Sequence, residues 1–228
     1  MGVHREFTRF AQEYRRLNRV QSEVIEHIFG DCYQAPERIL DLGCGSGAVA
    51  NELDWEVKEF VGVDFSHAML EMHPKDEKIK TLEADFNDES TFERLKEYSF
   101  DAVISASALQ WAKDLDKIFA HINSLAPNVV LGLFSSNTFR TLHAVAGIDS
   151  PIHSQETIIE AANRQFNNPE IQVEMYKIAF KDKKSLFSYI KKSGVSGGER
   201  KLGISQMRSL MRDYPLDYLE FEVVYINA

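Results

Sequence analysis

Cysteine is scarce in this chain: Cys32 and Cys44 stand twelve positions apart with no CxxC between them, which argues against a disulfide framework and a thiolate zinc site. The seven histidines show no HExxH or other ligand spacing, so no metal is expected, and His67 and His73 read as surface or capping residues. No apolar run approaches the roughly 20 residues that span a bilayer. The stretch Met1 to Phe10 carries charges and no hydrophobic signal region, so no membrane association and a cytoplasmic location are expected. Basic residues are the minority, 26 Lys and Arg against 35 Asp and Glu, with a net charge of −9. That balance disfavours a phosphate-backbone footprint and hence a nucleic-acid binder. Repeats and low-complexity tracts are also missing. What remains is a chain of 228 residues, 44% of them apolar, enough for one domain with a full core.

Strand-like and helix-like stretches alternate along it. Apolar residues from Phe7 to Ile28 recur at helical spacing, which predicts one or two amphipathic helices ending near Gly30-Asp31. Strands are expected at Arg38 to Leu40, Glu59 to Val63, Ile79 to Ala84, Phe100 to Ser105 and Asn128 to Phe134, with helices at Ala48 to Leu53, Ser90 to Tyr98 and Asp114 to Leu125, the last capped by Asp114. Beyond Phe134 come helix-like stretches at Asn137 to Gly147, Gln155 to Phe166 and Lys184 to Ser193, a strand at Ile171 to Phe180 and a closing strand at Tyr218 to Ile226; Ser193 to Gly203 reads as a loop. The pattern is that of an α/β fold with a doubly wound, mostly parallel sheet.

The segment Asp41-Leu42-Gly43-Cys44-Gly45-Ser46-Gly47 joins the first strand to the helix after it. An acid at the strand end, then a loop stripped of side chains, then a helix N-terminus is a place where a small polar ligand lies against backbone. Gly43, Gly45 and Ala48 also satisfy the dinucleotide fingerprint. Asp41 argues against that ligand, because a carboxylate there repels a pyrophosphate and attracts an ammonium or a sulfonium. The second strand ends at Asp64, 23 residues after Asp41, the place for a carboxylate that grips ribose hydroxyls. The third ends at Asp85-Phe86, an acceptor and a ring suited to adenine.

On these residues the segment from about Arg38 to Phe134 resembles the cofactor-binding half of class I S-adenosylmethionine-dependent methyltransferases. The resemblance implies a Rossmann-like seven-stranded sheet in one domain, with an N-terminal helical lid over residues 1–35, a cofactor core over 36–134 and substrate-side helices and strands over 135–228. It implies donor contacts from Asp41, Gly43, Cys44, Gly45, Asp64 and Phe65. Met69, Asp85, Phe86, Ser105 and Ala106 are implied as well, with Tyr14 as a covering residue.

Two features speak to the acceptor. Between Lys181 and Arg212 nine basic residues face two acids, an excess suited to an anionic partner or simply a set of solvated helix faces. Gln110 and Trp111 follow the fourth strand, where this class of fold presents groups to its ligand. Trp111 could equally anchor the next helix. Phe7 to Tyr14, Ala108 to Trp111, Tyr189 to Val195 and Tyr214 to Tyr218 resemble successive signatures of the malonyl-[acyl-carrier protein] O-methyltransferases of biotin synthesis. That resemblance implies esterification of the free carboxylate of a malonyl thioester carried by acyl carrier protein or coenzyme A, with Tyr14, Gln110, Trp111, Lys191 and Tyr218 at the site. An acceptor carboxylate then calls for one cation at its far edge, which Lys191 or Arg9 could supply. The chain departs from the family at Ala106, where Asn is common. A methyltransferase of another small molecule, a non-catalytic donor-binding protein and a nicotinamide dehydrogenase are the competing readings.

Overall fold

The computed structural model describes residues 19–31, 35–193 and 204–228, with backbone alone at 31, 191–193 and 204–207. The expected N-terminal stripe before Arg19, Arg9, Tyr14, Cys32 and the 194–203 loop therefore lie outside the described residues. Helix α1 (Arg19–Asp31) leads into β1 (Arg38–Leu42), α2 (Ala48–Glu52), β2 (Glu59–Asp64), α3 (His67–Met72), β3 (Ile79–Glu83), α4 (Glu89–Leu95) and β4 (Ala102–Ala106). A 3-10 turn (Leu109–Trp111), α5 (Leu115–Leu125), β5 (Asn128–Phe134), α6 (Arg140–Ala146), α7 (Gln155–Gln165), β6 (Glu170–Ala179), α8 (Lys183–Ser193), α9 (Ile204–Asp213) and β7 (Tyr218–Asn227) complete it.

The seven strands form one sheet in the order β3-β2-β1-β4-β5-β7-β6. Strands β1 to β5 pair in parallel, and β7 runs antiparallel to both β5 and β6. The inner strands are nearly continuous apolar runs because helices cover both faces. On one face Phe92 of α4, Phe119 and Ile122 of α5 and Ile158 of α7 pack on Leu40, Val61 and Val103. On the other, Val24 and Ile28 of α1, Leu142 of α6, Leu186 of α8 and Leu210 of α9 pack on Ile39, Phe60 and Ile104. Gly132 of β5 lets α1 approach, since a Cβ there would stand 2.7 Å from Val24 Cγ1.

The elements expected within the described residues are present, and Asp114 caps α5 by accepting from the Lys117 amide at 3.1 Å. Two helices went unforeseen, α3 and α9. The closing strand β7 inserts between β5 and β6, so β6 carries the edge. Both Glu220 and Glu222 of β7 are thereby buried. Their carboxylates are satisfied by the β5–α6 connection. Ser135 Oγ and Asn137 Nδ2 donate to Glu222 at 2.5 and 2.8 Å, and the Thr141 amide and Arg140 Nε donate to Glu220 at 3.1 and 3.2 Å. Buried carboxylates with such backing hold a loop in place where exposed ion pairs do little.

Candidate active site

The strand order reverses between β1 and β4, and a crevice opens beyond their carboxyl ends, as the topology requires. A cavity of about 390 Å³ occupies it, walled by the loops after β1, β2, β3 and β4 and by α1.

The loop after β1 owes its shape to glycine. Gly43, Gly45 and Gly47 all adopt left-handed φ, 78°, 52° and 83°, a region that costs other L-residues about 1–2 kcal/mol. Gly43 has a second reason, because a Cβ there would fall 2.1 Å from the Cβ of Ala108. The loop is fastened to β2: the amides of Gly43 and Cys44 donate to the Val63 carbonyl at 2.7 and 3.0 Å. Cys44 is the small, buried loop residue expected of it, its Sγ filling the space that a side chain on Gly62 would need. Burial pushes its thiol pKa up, so it is no nucleophile.

Asp41 is 1% exposed, lines the cavity, and neither carboxylate oxygen has a hydrogen-bond partner. Burial, and then the neighbouring Asp64, raise its pKa well above the ordinary carboxylate value. Asp64 is pinned from two sides, its Oδ2 accepting from the Gly45 amide at 3.0 Å and its Oδ1 from the Ser66 amide at 2.8 Å. Among the described lining residues the charged ones are Glu26, Asp41, Glu52 and Asp64, all acids. Such a wall disfavours a pyrophosphate and suits a cation.

Phe65, Met69, Phe86, Ala106 and Trp111 line the cavity as expected, together with Asp41, Gly43, Cys44, Gly45 and Asp64. Ser105, Asp85, Gln110 and Tyr218 do not. Ser105 is fully buried and its hydroxyl donates to the Leu42 carbonyl at 2.7 Å, tying β4 to β1. The Asp85 carboxylate turns to the Asn87 amide at 2.8 Å and to its side chain. Gln110 is buried, with Nε2 donating to the Ser107 carbonyl at 2.7 Å. Tyr218 begins β7, and Lys177 Nζ stands 4.8 Å from its ring centre. The Lys191 side chain lies outside the described residues. His73 caps α3 as expected, yet it is buried.

The sequence reading missed the wall that α1 supplies through Gln21, Ser22, Ile25 and Glu26, and the lining residues Ser107 and Ala108. It also missed His153, whose Nε2 donates to the Ala112 carbonyl at 2.6 Å while its own carbonyl accepts from the Ser136 amide at 2.8 Å. His153 thus ties the turn carrying Trp111 to the connection after β5. Among the described residues no group of three or more His, Cys, Asp or Glu is placed to hold a metal, and no helix is long and apolar enough to cross a membrane.

Residues 40–128 match the family described as "Methyltransferase domain". This segment is a methyltransferase domain. Along nearly its whole length the chain is similar to malonyl-[acyl-carrier protein] O-methyltransferases, at 25% identity to that of Legionella pneumophila (99% of this chain, 89% of the relative) and 23% to that of Bacillus cereus (95% and 87%). In fold it is similar to the YcgJ protein of Bacillus subtilis, with a TM-score of 0.64 at 14% identity over 90% of this chain and 97% of that one. It is also similar to the magnesium protoporphyrin IX methyltransferase of Synechocystis, which holds S-adenosylhomocysteine, with a TM-score of 0.52 at 13% identity over 92% and 82%.

The methyl donor of this methyltransferase is S-adenosylmethionine, and the residues present fit it. Asp41, buried with two unpartnered oxygens, suits the cationic end of the donor, Asp64 its ribose, and Phe65, Met69 and Phe86 its base. When bound, the donor supplies an electrophilic methyl group next to a positive sulfur.

Proposed function

We propose that this methyltransferase esterifies a carboxylate, namely the free carboxyl of a malonyl thioester borne by acyl carrier protein. The observation that carries the reading is the similarity along almost the whole chain to malonyl-[acyl-carrier protein] O-methyltransferases; the lining is compatible with it, since among the described residues it offers no imidazole, amine or phenol, and only the carboxylates Glu26, Asp41, Glu52 and Asp64 could take a proton from an acceptor. A carboxylic acid, with a pKa of roughly 4, needs no proton acceptor at neutral pH.

In the reaction a lone pair of the acceptor oxygen forms the O–C bond as the C–S bond breaks, and the electron pair passes to sulfur. No proton moves. The work of the protein is to bring oxygen, carbon and sulfur into line at about 3 Å in a dry pocket. Charge is neutralised along the way, so a tight ion pair to the acceptor would stabilise the ground state more than the transition state. Because the described lining is acidic, an anionic acceptor needs the donor's positive sulfur and a cation at its own far edge to offset the wall, a role proposed for Lys191 or Arg9, with Tyr14 as cover over the donor. Lys181 just before α8, Lys183 and Lys184 in its first turn, and Arg208 and Arg212 of α9 are exposed and supply the positive charge that an acidic carrier protein would meet. Coenzyme A is the alternative carrier.

The test is to mix the protein with labelled S-adenosylmethionine and, in turn, malonyl carrier protein, malonyl-coenzyme A and simple acids, and to weigh the products. A methyl ester of the malonyl carrier protein is expected, and Lys191→Ala should raise the KM for it about tenfold or more. No ester from any acid would overturn the reading.

A further inference from the structure

The carboxyl end of β4 holds a polar group that the account above leaves without a task. Ser107 lines the cavity in left-handed backbone, φ 62°, and its Oγ is buried with no hydrogen-bond partner. Each feature is unfavourable alone: serine seldom adopts that region, and a buried hydroxyl rarely goes unpaired. Both fall on one residue. The turn around it is firmly held, for the Ser107 amide donates to the Gly132 carbonyl at 2.8 Å and its carbonyl accepts from Gln110 Nε2 at 2.7 Å. Backbone hydrogen-bonding capacity is therefore engaged on both sides, and the hydroxyl is the group left over.

Its position narrows what it can serve. Ala108, the next residue, touches the donor loop, where it blocks any side chain on Gly43. Trp111, a turn later, also lines the cavity. Ser107 is thus a cavity-lining residue next in sequence to the one that meets the glycine loop, and a turn before Trp111. A hydroxyl is a donor that strengthens toward an anion without adding a full charge, which suits a reaction in which an ion pair would over-stabilise the ground state.

We propose that Ser107 is a catalytic residue that orients the acceptor: its Oγ–H donates to the carboxylate oxygen that does not attack, and so aims the one that does. This rests on the carboxylate reading above. Three variants test it, Ser107→Ala, which removes the hydroxyl, Ser107→Gly, which removes it and relieves the left-handed backbone, and Ser107→Asn, which tolerates that backbone and restores a donor. Steady-state kinetics with the acid that the wild type esterifies and calorimetry with S-adenosylmethionine are the readouts.

Ala and Gly are expected to lose about tenfold or more in kcat/KM for the acid, with the donor Kd within about twofold of wild type and Asn recovering much of the loss. Wild-type kinetics in Ser107→Gly would overturn the proposal, even if the Ala variant folds poorly. So would a loss in donor affinity that matches the loss in rate, since the hydroxyl would then serve the donor. Failure of the carboxylate reading looks different: the wild type itself would esterify no acid, and the proposal would fall with it.

Discussion

Asp41→Asn should yield a protein that melts later and holds S-adenosylmethionine more weakly. The two changes have one cause. Asp41 is a carboxylate taken out of water with no hydrogen-bond partner and with Asp64 nearby, an arrangement that destabilises a fold unless a cation arrives. Removing the charge lifts that burden, and a gain of about 1 kcal/mol corresponds to roughly 2–4 °C in a chain of this size. It also removes the attraction for the donor's cationic end, at a loss of about 10- to 100-fold in affinity. Thermal melts and calorimetry check both halves, and a lower Tm with unchanged affinity would contradict them.

The same residue sets a pH dependence whose sign follows from linkage. The folded-state pKa of Asp41 lies above its unfolded value. Its contribution to the stability of the donor-free protein is therefore fully present below the ordinary carboxylate value of about 4 and is lost as pH rises through the raised value. Donor binding needs the ionised form and strengthens over that window. The rise in Tm that S-adenosylmethionine produces should grow with pH in the wild type and flatten in Asp41→Asn.

Gly43→Ala is the other large effect, and Gly45→Ala is its control. Both positions have left-handed φ, so each substitution costs about 1–2 kcal/mol in backbone. Only at Gly43 does the new methyl meet anything: it would stand 2.1 Å from Ala108 Cβ, whereas at Gly45 nothing lies within 4 Å. Ala108 Cβ is fixed to backbone and cannot swing aside, so the end of β4 or the loop must move. Gly43→Ala should bind S-adenosylmethionine about 100-fold more weakly and melt earlier, with Gly45→Ala well short of both. Equal effects of the two would show that close packing between the loops does not set the site.

The parts of this site that were legible in the sequence are those written locally. An acid, three glycines and a helix start in a row are adjacent because the strand-loop-helix turn that uses them is itself contiguous, and Asp64 and Phe86 follow because successive parallel strands end on the same side. Other features depend on contacts between distant segments. The insertion of β7 between β5 and β6 is decided by pairing with both, and alternation within β7 does not say which neighbours it has. The stripe of α1 reads as core, as Val20, Val24 and Ile28 are, yet its flank at Gln21, Ser22, Ile25 and Glu26 lines the cavity, on a helix whose close approach to the sheet Gly132 accommodates. Nothing in the local sequence announces a left-handed serine. Ser105, one of the expected donor contacts, points instead to β1, because alternation along β4 turns its side chain into the sheet's packing. Helix α3 is six residues long, too short for a periodic signal, and α9 begins at the end of a Ser- and Gly-rich run that masks its start.

Donor uptake depends on an acid-walled cavity whose carboxylates stand at successive strand ends and attract a positive charge. Calorimetric titration of the wild type and Asp64→Ala with S-adenosylmethionine, and of the wild type with a nicotinamide dinucleotide, tests this most directly. Asp64 is the carboxylate that two backbone amides fix in the wall, so the wild type should take up one donor per chain and no dinucleotide, and Asp64→Ala should show no binding heat. A dinucleotide bound in the donor's place, or an Asp64→Ala protein that titrates like its parent, would contradict the account.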